Sequence, residues 1–236
     1  MGTINKRRWI IGIILLLMIA LLASAQTIAD YYEKSKLEAS VELQASLEQM
    51  ASTESFKYSL KSEFMIGDRR EVISEVAGEK ESGNTHIKGE MVNTPIDIYY
   101  IDGTIYNYDS FADKWLVIES GTANSEDLLI SELNPLANFR FKSVNEVEKI
   151  GFEEVEGQEC LQVRCKPSVE SQLLENLWKE FEYLFWIDYK KNYVKKAELT
   201  AVNKNNEKTR LEIQVQFTNV GKKLNIEAPE TSTAKK

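Results

Sequence analysis

Few residues of this 236-residue chain are of types that perform covalent or proton-transfer chemistry, and their spacing works against each mechanism in turn. A Ser-His-Asp or Cys-His arrangement would need His86, the single histidine, as its base. His86 alternates with Asn84 and Lys88, which places it on the solvent side of a strand as a surface histidine. Glu153 and Glu154 are neighbours in a strand-like segment and so point to opposite faces, where they cannot converge as acid and base. Cys160 and Cys165 are the only cysteines. Along an extended strand their Cα atoms would lie about 16 Å apart, with the odd offset sending the side chains to opposite faces. A disulfide needs Cα atoms within about 7 Å, so two unpaired thiols are expected. Two cysteines and one histidine also fall short of the four ligands of a structural zinc site. No glycine-rich phosphate loop is present. Neither catalysis, nor a metal, nor a cofactor is expected.

The composition is that of a folded domain, 43% hydrophobic and 28% charged. The formal net charge is −8, with Lys and Arg scattered among the acids. This argues against nucleic acid as a partner, because phosphate binding needs a concentrated basic surface.

The clearest segment is N-terminal. Lys6-Arg7-Arg8 precedes an unbroken apolar run from Trp9 to Ala23, so the remainder of the chain is expected to be translocated out of the cytoplasm. Two fates fit. Residues 1–25 have the form of a signal peptide, with a small-x-small site at Ala23-Ser24-Ala25. Alternatively, Trp9 to Ile28 spans about 20 residues, enough to anchor the chain permanently in the cytoplasmic membrane. No cysteine follows the run, so lipidation there is excluded.

Residues 26–229 read as one domain, and residues 230–236 as a polar, frayed tail. From Thr27 to Met50 apolar residues recur at helical spacing. From Ser55 the period becomes two, with turns at Gly67-Asp68, Gly83-Asn84, Asp102-Gly103 and Glu156-Gly157. Asp102-Gly103 suits a type I′ hairpin turn. Ser125 to Leu133 reads as a short helix ended by Asn134-Pro135. A second helix is expected from Pro167-Ser168, carried by Val169, Leu173, Leu177 and Phe181. The strand-like segments succeed one another as an antiparallel meander.

Several local phrases, in this order, resemble the LolA/LppX-like superfamily of bacterial lipoprotein carriers, mycobacterial-type lipid-binding lipoproteins and RseB-like envelope regulators. They are Tyr100-Ile101-Asp102-Gly103 leading to Tyr106 and Tyr108, then Lys114-Trp115, Gly151 with Val155-Glu156-Gly157, and Phe185-Trp186-Ile187-Asp188. The terminal stretch from Phe217 to Pro229 is similar as well. The resemblance implies an α+β fold: a strongly curved antiparallel half-barrel with helices on its concave side, enclosing an apolar cavity for acyl chains. It implies a non-catalytic binding protein whose partner is a lipid or lipoprotein, or an envelope sensor built on the same scaffold. Trp115, Phe139, Phe141, Trp178, Phe181, Phe185 and Trp186 are numerous for a sheet with one buried face. They suit either an ordinary core or the walls of that cavity. For a cavity, Trp115, Phe139, Phe141, Leu177, Phe181 and Phe185 are the expected lining.

Overall fold

The structure is a computed structural model and describes residues 3–119, 135, 139, 141–169 and 172–231. It divides into two units, Met1–Glu38 and Ala39–Lys236. The first is a single helix, α1 (Thr3–Lys36). Its side chains at Ile11, Ile13, Ile14, Leu15, Leu16 and Met18 are all exposed. At 100° per residue these six point in every direction around the axis, so α1 has no polar face along this stretch. Among the residues whose side chains are described, no helix is long and apolar enough to cross a membrane. Much of the run from 10 to 26 lies outside that set.

The single helix expected from Thr27 to Met50 is two. α1 ends at Lys36, and α2 (Ala39–Ser52) begins the second unit. The charges mark the break. Lys34 and Lys36 occupy the last turn of α1, Glu42 the first turn of α2, and each sign suits the helix end it meets. An amide hydrogen bond from Leu37 N to Lys34 O, 3.3 Å, tightens the end of α1.

The second unit is built on an eleven-stranded, wholly antiparallel sheet. Its strands are β1 (Ser55–Ile66), β2 (Arg69–Glu81), β3 (Asn84–Met91), β4 (Thr94–Ile101), β5 (Thr104–Asp109), β6 (Lys114–Glu119), β7 (Phe141–Val155), β8 (Gln158–Val169), β9 (Trp178–Asp188), β10 (Tyr193–Asn203) and β11 (Thr209–Thr218). The spatial order is β6-β5-β4-β3-β2-β1-β11-β10-β9-β8-β7. The chain thus meanders outward from β1 to β6, then restarts at the far edge and returns until β11 closes against β1. Among the described residues the sheet is open, with β6 and β7 as its edges. α2 packs on β7, β9 and β10, and the short helix α3 (Gln172–Leu177) on β8 and β9.

The turns follow residue chemistry. Asp102 and Gly103 have φ of 49° and 81°, and Glu156 and Gly157 have 49° and 73°, as type I′ turns require. The β3–β4 turn is less suited to its residues, because Val92 adopts φ 48° before Asn93 at 58°. A β-branched side chain is strained there, and Val92 is exposed, so it gains little in return. Val92→Asn keeps the amide bond to Ile73 O (2.7 Å) and is expected to stabilise the domain by about 1 kcal/mol, read as a higher denaturation midpoint at unchanged slope.

The second predicted helix is corrected. β8 continues through Pro167 and Ser168 to Val169, helix occupies only Gln172–Leu177, and Trp178 and Phe181 lie in β9. Spacing of four satisfies both a helix face and every second strand position. The ladder to β10 decides here, with Trp178 opposite Asn203 and Lys179 opposite Val202. The aromatic run of β9 also favours a pleated, half-buried surface. The expected helix from Ser125 to Leu133 falls outside the described residues.

Candidate functional site

Strand register sorts the side chains into two faces. On one, Val215, Leu60 and Val76 sit abreast across β11, β1 and β2, and Ala197, Phe185 and Val163 across β10, β9 and β8. This face is apolar and buried, and the burial continues outward through Ile87, Ile98 and Ile105. α2 presents Leu43, Ser46 and Met50 to the protein interior. The polar one among them, Ser46, donates its hydroxyl to Leu43 O at 2.9 Å, so no unsatisfied group is buried with them. Aromatic rings cluster on this face. Phe139 lies 5.7 Å from Tyr183 and 5.8 Å from Phe185, and Phe56 lies 5.5 Å from Phe217, all in edge-on arrangements. Burial pushes the Tyr58 and Tyr183 hydroxyls well above the usual phenol range.

Of the six residues expected to line a cavity, Phe139 and Phe185 come together on this face. Phe141 opens β7, and its side chain is outside the described set. Leu177 ends α3 and is 45% exposed. Phe181 lines a depression with Lys166, Glu182, Arg210 and Glu212. Trp115 belongs to the opposite face, since it pairs with Tyr108 and packs on Tyr99 at 5.5 Å. Tyr183, Phe56 and Phe217 join the apolar face instead. Their alternation is visible in sequence, but which side each one faces follows only from register.

The other face is charged. Lys57 bonds Glu79 at 2.6 Å, and Asp97 accepts from both His86 and Lys88 at 2.8 Å. His86 stacks on Tyr99 with ring centroids 3.8 Å apart. It lies on β3, with five strands between it and the cysteines of β8, so the two cannot form a nucleophile–base pair. Glu153 Oε2 accepts from Trp186 Nε1 at 2.9 Å and from Gln162 Nε2 at 3.2 Å, which gives it a structural task. Among the described residues, no three His, Cys, Asp or Glu side chains group to hold a metal.

Both cysteines are free and buried, on opposite faces of β8 as the odd offset requires. Burial raises the Cys165 thiol to about 12. Burial, then the nearby Asp188 carboxylate, raises Cys160 to about 11. Native thiols should therefore resist iodoacetamide at pH 8 and react fully once the chain is unfolded. Both folded values exceed the unfolded one. The stability that each thiol contributes is complete below about pH 9 and is lost as pH rises towards 11 and 12. The loss is about 3 kcal/mol for Cys160 and about 4 kcal/mol for Cys165. Cys165→Ala should flatten the alkaline limb of a stability–pH curve.

No protein-family model matches the sequence. No curated protein matches it either. Solved structures do. The lipoprotein LppX from Mycobacterium tuberculosis matches at TM-score 0.50 and 12% identity, over 79% of this chain and 97% of that one. LprF from Mycobacterium bovis matches at TM-score 0.53 and 12% identity, over 81% and 96%. A LolA superfamily protein from Nitrosomonas europaea aligns over 80% of this chain at TM-score 0.31. The open antiparallel sheet, with α2 on its apolar face, is thus the fold of LppX and LprF over some 80% of the chain.

Proposed function

We propose that the protein is a non-catalytic, extracytoplasmic binding protein that holds an acyl chain of a lipid or lipoprotein between α2 and the apolar face of the sheet. The observation that supports this reading is the buried aromatic cluster of Phe139, Tyr183 and Phe185 on the apolar face, in a fold shared with LppX. α2 covers the apolar face with Leu43, Ser46 and Met50, the element that such a ligand would have to part from the sheet. Lipid extraction and native mass spectrometry of the exported full-length chain test the proposal. A stoichiometric lipid, lost in Phe185→Trp, is the expected result, and protein recovered free of lipid from its own membranes refutes it.

In this reading α1 remains as a membrane anchor. Trp9 and the exposed Tyr31 and Tyr32 bracket the apolar run, and 22 helical residues rise about 33 Å, close to a bilayer's hydrocarbon thickness. The intact mass of the membrane-extracted protein distinguishes retention from cleavage at Ala25.

A second reading is an envelope sensor or protein-interaction domain. Edge strand β6 favours it, for Leu116, Val117 and Ile118 are exposed and Phe111 in the preceding turn is 98% exposed. Crosslinking in cells from position 117 would capture a defined envelope protein if this reading holds.

A further inference from the structure

Two turns at one end of the sheet carry apolar residues where turn chemistry favours polar ones. β3 pairs with β4, β4 with β5 and β5 with β6, all antiparallel, so the β3–β4 and β5–β6 turns share that end. Val92 tips the first turn and is 66% exposed, and Phe111 tips the second and is 98% exposed. Continuing the β4–β5 register past Ile98 and Asn107 brings position 111 level with Thr94, beside the first turn. Two strand spacings, about 10 Å, separate the tips. The turns at the other ends of β3 and β4, Ser82-Gly83 and Asp102-Gly103, have the usual polar residue followed by glycine.

Both tips are held in place. Val92 keeps φ 48° in spite of its β-branched side chain, and its amide donates to Ile73 O at 2.7 Å. Asp109 Oδ1 accepts from the amides of Phe111 and Ala112 at 2.9 and 3.0 Å, and the Tyr108 hydroxyl donates to Asp113. The acids of this turn are thus engaged within it while Phe111 points into solvent. Backbone strain that serves no packing is a mark of a functional position. Behind the β5–β6 tip, Tyr108 pairs with Trp115 across the hairpin at 5.2 Å, and Trp115 meets Tyr99 at 5.5 Å.

We propose that these tips enter the surface of a lipid bilayer, with Val92 and Phe111 among the upper acyl chains and Tyr108 and Trp115 at headgroup level. An apolar tip backed by amphipathic rings matches the order of environments at a membrane–water boundary. A protein partner fits less well: a Phe ring offers about 200 Å², whereas a stable interface takes about 800 Å² from each side. Of residues 91–95 and 109–114 only Lys114 is basic, so zwitterionic lipid is the expected surface. The inference rests on the anchor reading of α1, which brings the domain to a bilayer, and not on the acyl-chain groove.

The test uses the full chain reconstituted in phosphatidylcholine vesicles. Ala112→Cys carries a nitrobenzoxadiazole fluorophore beside Phe111, and Lys190→Cys carries one in the β9–β10 turn at the opposite end of the sheet. The native thiols are buried and stay unlabelled. Phosphatidylcholine with a nitroxide high on its acyl chain should quench the label at position 112 at least threefold more than the label at 190. Phe111→Ser with Val92→Asn should bring quenching at 112 down to the level at 190, with no fall in melting temperature. Equal quenching at the two positions, or quenching that survives the double substitution, overturns the proposal. A label at 112 that is unquenched in these vesicles but shielded from aqueous iodide in native membranes places a protein at the tips and overturns the bilayer. Flotation of the chain with the vesicles reads the anchor separately, so failure of the anchor is distinguishable from failure of the tips.

Discussion

Phe185→Ala is expected to destabilise the domain by about 3–5 kcal/mol, the cost of removing a fully buried aromatic ring and leaving the space behind it. Phe185 has no exposed surface, and its ring meets Phe139 at 5.8 Å and Tyr183 at 6.1 Å. It also sits in the ladder between Ala197 and Val163, so three strands lose packing when it shrinks. The neighbours cannot close the gap by rotation, because Tyr183 is itself fully buried and Phe139 is held against both rings. In thermal melts the shift is roughly 6–20 °C for a domain of this size. The denaturation slope should stay unchanged, since the variant alters the stability and not the surface exposed on unfolding. A loss below 1 kcal/mol would mean that the space at Phe185 is not closely packed. An acyl chain that occupied it would restore stability to the variant in proportion to lipid concentration.

The parts of this fold that could be read from sequence are those that local chemistry determines. Asp102-Gly103 announces its hairpin because few other pairs tolerate two positive φ values in succession. The offset between Cys160 and Cys165 is likewise a property of one strand and needs no partner. The helix assigned to Val169, Leu173, Leu177 and Phe181 failed because its evidence was a spacing that strands also satisfy. The two pairs of the β9–β10 ladder that decide the matter, Trp178 with Asn203 and Lys179 with Val202, join residues more than twenty positions apart. The lining of the site was hard to read for the same reason. Trp115 and Phe185 are both aromatic residues within strands, yet they face opposite ways. The difference depends on the register accumulated across the strands between them. Gathering aromatic residues by type therefore mixed the two faces, while Phe56 and Phe217, which meet only through the β1–β11 pairing, were passed over.

Register also decides which glycines can be replaced, and Gly89→Ala is expected to be the most damaging small substitution in the sheet. Gly89 faces Val76 across the β2–β3 ladder with φ 154°, at the margin of what L side chains adopt. A Cβ there would overlap Glu75 O and come within 2.7 Å of Val76 Cα. Both are backbone atoms in a paired strand, so relief requires β2 and β3 to separate and give up ladder hydrogen bonds. A loss of at least about 3 kcal/mol is expected, or failure to accumulate folded protein. Gly78 provides the contrast. A Cβ at Gly78 would meet only the distal ring atoms and hydroxyl of Tyr58, a side chain that a second substitution can shorten. Gly78→Ala should therefore be largely rescued in a Tyr58→Leu background, with a coupling of about 1–3 kcal/mol. The cost of Gly89→Ala in that background should simply add, because no side chain stands in its way. If Tyr58→Leu rescued both equally, close backbone approach at Gly89 would not be the cause. Both glycines lie beside the row that carries burial outward from Leu60 through Val76 to Ile87, so the experiment measures how tightly the outgoing half of the sheet is held to the half beneath α2.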